Sequence, residues 1–208
     1  GRTHKSVGGV YSDRLIDIDL LLYDDASKAF SCEAVYRIAR QERIGVDVVS
    51  GGELYTALKA GFPASKIYMH GNNKLDYELE EALDAGVGCI VADAYAEIDK
   101  IDREAKKRGR TQNILLRINP GVEAHTHAYI QTAKTDSKFG FSIADGTAEK
   151  ITAYALTKKH VALRGFHCHI GSQIFERQSF VLAAEKCMDF AAEIKQKLGF
   201  GTEEVNRG

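Results

Sequence analysis

The sequence has no apolar run approaching the roughly 20 residues that a bilayer-spanning helix needs, which argues against a membrane span. Its opening, GRTHKSVGG, is polar and lacks the apolar core of a secretory signal. Neither sign of charge is in excess: the formal net charge is -1, so nothing electrostatic points to nucleic acid or an anionic membrane as partner. The four cysteines, Cys32, Cys89, Cys168 and Cys187, form no C-x-x-C pair. That spacing is unlike a disulfide scaffold or a zinc knuckle and reads as buried, reduced thiols in a cytoplasmic protein. No G-x-G-x-x-G follows the first apolar strand, which argues against a dinucleotide fold.

What is present is an ordinary globular composition, 44% hydrophobic and 27% charged over 208 residues, enough to bury a core in one domain. Apolar strands alternate with amphipathic helices. Strands are expected at 15–23, 44–49, 67–70, 88–92, 113–118 and 161–170, with another beginning at 203–208. Helices are expected at 31–43, from Ser50 to Gly61, at 75–86, 94–108 and 147–158, and through Phe180–Leu198. Ser50-Gly51-Gly52-Glu53 matches a capping box, and Pro63 beyond Gly61 is a stop signal. A long polar excursion, GVEAHTHAYIQTAKTDSKFGFSI, interrupts the rhythm, and loops of that length are usually functional or mobile. There is no initiating methionine, and the last residues read as an element just starting, so a fragment is expected.

Short apolar strands with helical crossovers imply a parallel sheet covered by helices. An open doubly wound sheet and a (β/α)8 barrel both fit, and the run of consecutive units favours the barrel. In barrels the chemistry gathers at the C-terminal ends of the strands. Those ends carry Lys28, Asp47, Ser50, His70, Asn72, Asp93, Arg117, Asn119, His169 and Ser172. The set is poor in the carboxylate and histidine density of a metal hydrolase. It suits an anionic ligand, with a lysine available as nucleophile toward a carbonyl. Asp47 and Arg117 lie inside apolar strands and are expected to find charged or backbone partners. His167-x-His169 could present two imidazoles on one strand face to a metal, and His125-x-His127 could do so from the loop. A solvated or core role is open for each of these histidines. Lys28 by itself could be a solvated surface residue, and capping alone explains Ser50 and Glu53.

The motifs ASKAF (26–30), VDVVSGGEL (46–54), HGNNK (70–74), LLRINPGVEAHTHAYI (115–130), DSKFGF (136–141) and FHCHIGSQIF (166–175) resemble the bacterial diaminopimelate decarboxylase family. That family falls among the fold-type III, alanine-racemase-like decarboxylases that use pyridoxal 5′-phosphate. The resemblance implies a partial (β/α)8 TIM-like barrel over residues 25–208, truncated before the last strands and without the C-terminal β-domain. Residues 1–24 match poorly, and Asp25 stands where the family usually has tyrosine. It implies Lys28 as the catalytic lysine that holds the cofactor as a Schiff base, His169 stacked on its ring and Ser172 on its phosphate. Asp47 and Arg117 would line the same pocket, with no metal. The implied reaction is decarboxylation of meso-2,6-diaminopimelate to L-lysine and CO2 by a cytoplasmic enzyme of lysine biosynthesis. The implied partners are a small amino-acid substrate and, at full length, a second copy of the chain. The family continues past Asn206 into a glycine-rich phosphate loop, an acidic partner for the pyridine nitrogen and the β-domain, so the 208 residues alone are expected to be inactive. The alternative is a non-catalytic homologue that acts through binding or association.

Overall fold

The computed structural model describes residues 45–122, 139–171 and 177–206. The strand expected at 15–23, the helix at 31–43 and most of the polar excursion lie outside them. The first strand described, β1 (Val46–Val48), is followed by α1 (Gly51–Lys59), β2 (Ile67–Met69), α2 (Asp76–Ala85) and β3 (Cys89–Ala92). Then come α3 (Tyr95–Lys107), β4 (Gln112–Asn119), the short β5 (Phe141–Ser142), α4 (Thr147–Ala155), β6 (Val161–His167), α5 (Arg177–Leu198) and β7 (Glu204–Asn206). All the pairings are parallel, in the order β1-β2-β3-β4-β6-β7, with β5 pairing at the end of β4. The order follows the chain without a reversal, so the sheet has no switch point of the doubly wound kind.

The elements form where the periodicity places them. Ser50 caps α1 through its Oγ, which accepts from the Glu53 N–H at 3.3 Å. Gly86 ends α2 in the left-handed conformation, φ 76°, where a side chain would be strained. One short element had no clear signal: β5, which falls in the polar excursion and joins the sheet through Ile118 and Asn119.

Curvature decides between the two architectures. In a flat sheet β2 and β6 stand three strand spacings apart, about 14 Å. The His70 and His167 rings, from the ends of those two strands, have centroids 4.5 Å apart. The Tyr68 phenol on β2 lies close enough to the Glu204 carboxylate on β7, four spacings along the sheet, to feel its charge. The sheet is curled on itself as a partial barrel, as the sequence implies.

The curl divides the side chains into two populations. Val46, Val48, Ile67, Met69, Ile90, Ala92, Ile114, Leu116 and Ile118 face the helices and form one continuous core with Leu79, Leu83, Ile98, Ile101, Ile151 and Ile194. Each Val, Leu, Ile or Met side chain among them contributes about 1.5–3 kcal/mol when fully buried. The inner face has only a small apolar layer, Cys89, Val91 and Leu115 with Tyr68 against them. Above that layer, toward the strand ends, it turns polar.

A bulge determines which β6 residues join the inner face. Ile114 pairs with Leu163 and Leu115 with Gly165, so Arg164 is the extra residue. Val161 and Leu163 face the helices before the bulge, and Phe166 and Cys168 after it. The alternation thereby flips, and His167 turns inward. Gly165 makes this possible, because a Cβ there would collide with the carbonyl of Glu204 on β7. Gly165→Ala in the full-length protein is expected to cost more than about 2 kcal/mol of stability and to open the β6–β7 pairing. Denaturant unfolding measures the first, and amide exchange across residues 204–206 the second.

Candidate active site at the strand ends

The C-terminal end of the partial barrel gathers Asp47 from β1, His70 just past β2, Asp93 past β3, Arg117 from β4, and His167 and His169 at the end of β6. Curvature and the bulge bring them together; in sequence they are spread over more than half the chain. Asp47 is not the buried carboxylate its apolar flanks suggest, because β1 presents it inward at the rim with its side chain 43% exposed. Its Oδ1 lies 3.2 Å from His70 Nε2, off the line that a hydrogen bond requires. Arg117 finds the carboxylate partner expected of it. Its Nη1 is 3.5 Å from Asp93 Oδ2, and its guanidinium lies 5.0 Å from the Phe139 ring centre. Asp93 is itself held by the Gly140 N–H, which donates to Oδ1 at 3.0 Å.

The two rings of the His-x-His pair have different surroundings. His167 is buried and His169 exposed. Burial is the largest cause holding the His167 imidazole down at about 2; the neighbouring His70, Arg117, His169 and Lys74 add to it. His167 Nδ1 and His70 Nε2 are buried without a hydrogen-bond partner among the described residues. Unspent buried polar atoms of this kind are uncommon away from sites that take a ligand or water. Among the described residues no group of three or more His, Cys, Asp or Glu side chains is arranged to hold a metal, and His125 and His127 lie outside them. Lower in the barrel, Cys89 is pushed up to about 12, chiefly by burial and then by Glu204, so its thiol is inert.

Lys28 and Ser172, expected as the covalent lysine and the phosphate-binding hydroxyl, lie outside the described residues. Lys74 is a second lysine at the mouth, with a side chain only 1% exposed. It is not a nucleophile in this arrangement. Its ammonium donates to Gly71 O at 2.6 Å, Val91 O at 2.6 Å and Glu97 Oε1 at 2.5 Å, which uses all three protons. The motif HGNNK contained this residue, but its role was missed. A signal was available: glutamate recurs three residues past the cap of α1, α2, α3 and α4, as Glu53, Glu78, Glu97 and Glu149. Leu75 and Ala94 cannot cap with their side chains, so the glutamates do. Glu78 accepts from Leu75 N and Gly51 N, and Glu97 accepts from Asp93 N.

A curled parallel sheet, with imidazoles, a guanidinium and carboxylates converging at its strand ends, defines a partial (β/α)-barrel domain whose polar groups gather where barrel chemistry sits. The chain belongs to the family described as "Pyridoxal-dependent decarboxylase, pyridoxal binding domain", whose sequence model matches residues 16–208. It is 52% identical over 183 residues to diaminopimelate decarboxylase of Bacillus methanolicus and 50% over 183 residues to that of Bacillus subtilis. Each alignment covers 88% of this chain and 42% of the relative, so the chain spans about two fifths of the length of these curated relatives. The crystal structure of diaminopimelate decarboxylase from M. jannaschii in complex with L-lysine is similar at TM-score 0.74 and 38% identity, over 85% of this chain and 40% of that one. The resemblance read from the motifs is borne out, and with it pyridoxal phosphate as the cofactor of this domain family. The residues present fit such a group: two buried imidazole nitrogens stand unspent, and Arg117 makes a single hydrogen bond among the described residues.

The buried imidazole sets a pH dependence. Unfolded, His167 takes up a proton near 6.5; folded, it stays neutral down to about 2. The folded state therefore binds fewer protons between those values, and stability falls as the pH drops below about 6.5. Unfolding midpoints of the full-length protein from pH 8 to 5 are expected to show this fall, and His167→Gln to flatten it.

Proposed function

We propose that this chain is the cofactor-binding part of an enzyme that decarboxylates meso-2,6-diaminopimelate to L-lysine and CO2. The observation that carries this reading is the placement of Arg117 beside two buried imidazoles with unspent nitrogens, at the mouth of a domain half identical to diaminopimelate decarboxylases. Residues 25–208 are assigned to the pyridoxal phosphate barrel. The cytoplasmic location rests on the cysteine spacing and the resemblance, and the homodimer of the whole protein on the resemblance. Among the described residues no helix is long and apolar enough to cross a membrane.

The roles follow from chemistry and position. Pyridoxal 5′-phosphate, when bound, supplies the electron sink that takes the pair left on the α-carbon as the carboxylate departs as CO2, and a proton then replaces it there. Lys28 is assigned to hold the cofactor covalently, which requires a deprotonated amine. Lys74, with its ammonium saturated, is unsuited to that task. His169, exposed at the mouth, is assigned to the ring face, and Ser172 three residues on to the phosphate. Arg117 offers positive charge to an anionic group, and Asp47, at the rim beside His70, is assigned to line the same pocket.

In the full-length protein, Lys28→Ala is expected to abolish both the visible absorbance of the covalently held cofactor and CO2 release from diaminopimelate. An unchanged spectrum would remove Lys28 from its assignment. Absence of CO2 release from the wild-type protein would favour the non-catalytic homologue. Arg117→Met is expected to weaken pyridoxal phosphate binding about ten- to a hundredfold, the loss of one charge-assisted hydrogen bond, read by titration of the apo-protein.

A further inference from the structure

We infer that Lys74 and Glu97 form a positioning pair that sets Asp93, and through it Arg117, at the mouth of the barrel. The inference deepens the proposed function and rests on it for the identity of the ligand. Lys74 lies beyond β2 and Glu97 in the first turn of α3; neither reaches the centre of the mouth. Their side chains are 1% and 10% exposed and meet at 2.5 Å. Glu97 divides its carboxylate: Oε1 takes the Lys74 ammonium, and Oε2 accepts from the Asp93 N–H at 2.9 Å. Asp93 is thus fixed through its backbone by Glu97 and through Oδ1 by Gly140, which leaves Oδ2 facing Arg117.

The remaining two protons of Lys74 bind Gly71 O and Val91 O, tying the ends of β2 and β3 together. Gly71 has φ 103°, and a Cβ there would approach Val49 O to 3.0 Å, so this turn is packed closely against the end of β1 as well. One ammonium therefore locks the rims of adjacent strands, and one carboxylate passes that fixed position on to the arginine. A buried pair with every proton and both oxygens committed has one arrangement open to it. That rigidity is what a half-buried guanidinium needs if it is to meet an anionic ligand without reorganising.

The test uses the full-length protein and two double variants. In Lys74→Met/Glu97→Gln no unpaired charge is buried, and the Gln oxygen can still accept from Asp93 N–H. In Lys74→Met/Glu97→Leu no unpaired charge is buried either, but the acceptor is gone. Both are expected to melt within a few degrees of each other. The Leu variant is expected to bind pyridoxal 5′-phosphate at least tenfold more weakly than the Gln variant, measured by titration of the apo-protein. Equal affinity in the two overturns the inference while leaving the proposed function intact. Hydrogen exchange at the Asp93 amide gives a reading without ligand: protection is kept with Gln and lost with Leu, and equal protection overturns the inference whether or not the cofactor binds. Should the Leu variant not fold, Glu97→Gln with Lys74 retained serves instead. There the Gln oxygen goes to the ammonium and its amide opposes Asp93 N–H, so the same loss of affinity is expected, and wild-type affinity overturns the inference.

Discussion

The rim of this half-barrel depends on carboxylates placed at helix N-termini. A helix that follows a barrel strand begins at the mouth with unsatisfied N–H groups, and its dipole favours negative charge there. Glutamate at the third helical position puts a carboxylate there in α1, α2 and α3, where it accepts from the Val49, Leu75 and Asp93 N–H groups just ahead of each helix. In α2 and α3 it does more than cap its own helix. Glu78 reaches Gly51 at the head of α1 at 2.7 Å, and Glu97 reaches Lys74 ahead of α2. Each unit is thereby tied to the one before it at the level where ligand would bind. Gly51 leaves room for this, since a Cβ there would already be 3.3 Å from the Glu78 side chain.

This arrangement separates stability from chemistry. The apolar core between sheet and helices carries the fold, and the inner face above Leu115 is left to polar groups. Buried ion pairs contribute little net stability, because desolvation offsets most of their attraction. The Lys74–Glu97 pair is better understood as fixing geometry. The cost appears nearby as His167, an imidazole too buried to ionise, and as two ring nitrogens without partners. Local rules of polar satisfaction are broken where a ligand would restore them, which is the usual relation between strain and function.

Much of this was legible before the fold was known. The Ser50 cap, the helix end at Gly86 and the strand–helix rhythm each rest on interactions within a few residues, although Glu53 reaches back to the Val49 N–H rather than to that of Ser50 as the capping-box motif predicts. The motif DSKFGF was also visible, though only Phe139, Gly140 and Phe141 of it lie among the described residues, the first two facing Arg117 and Asp93. The role of Lys74 was not legible, because its partners come from positions 71, 91 and 97, on three different elements. Asp47 was misjudged as buried because apolar neighbours in a strand say nothing about where along the barrel rim the strand ends.

The sequence by itself determined the parallel β/α order, the helix ends and the family, since periodicity, caps and contiguous motifs are local properties of the chain. Tertiary structure alone decided what faces what. An alternation counted from Val161 and Leu163 would turn His167 outward to the helices. The bulge at Arg164, permitted by the close approach of Gly165 to Glu204, reverses it. The curl of the sheet then sets His167 against His70, three strands away. Both effects depend on register and twist between strands distant in sequence, which no single stretch of the chain specifies.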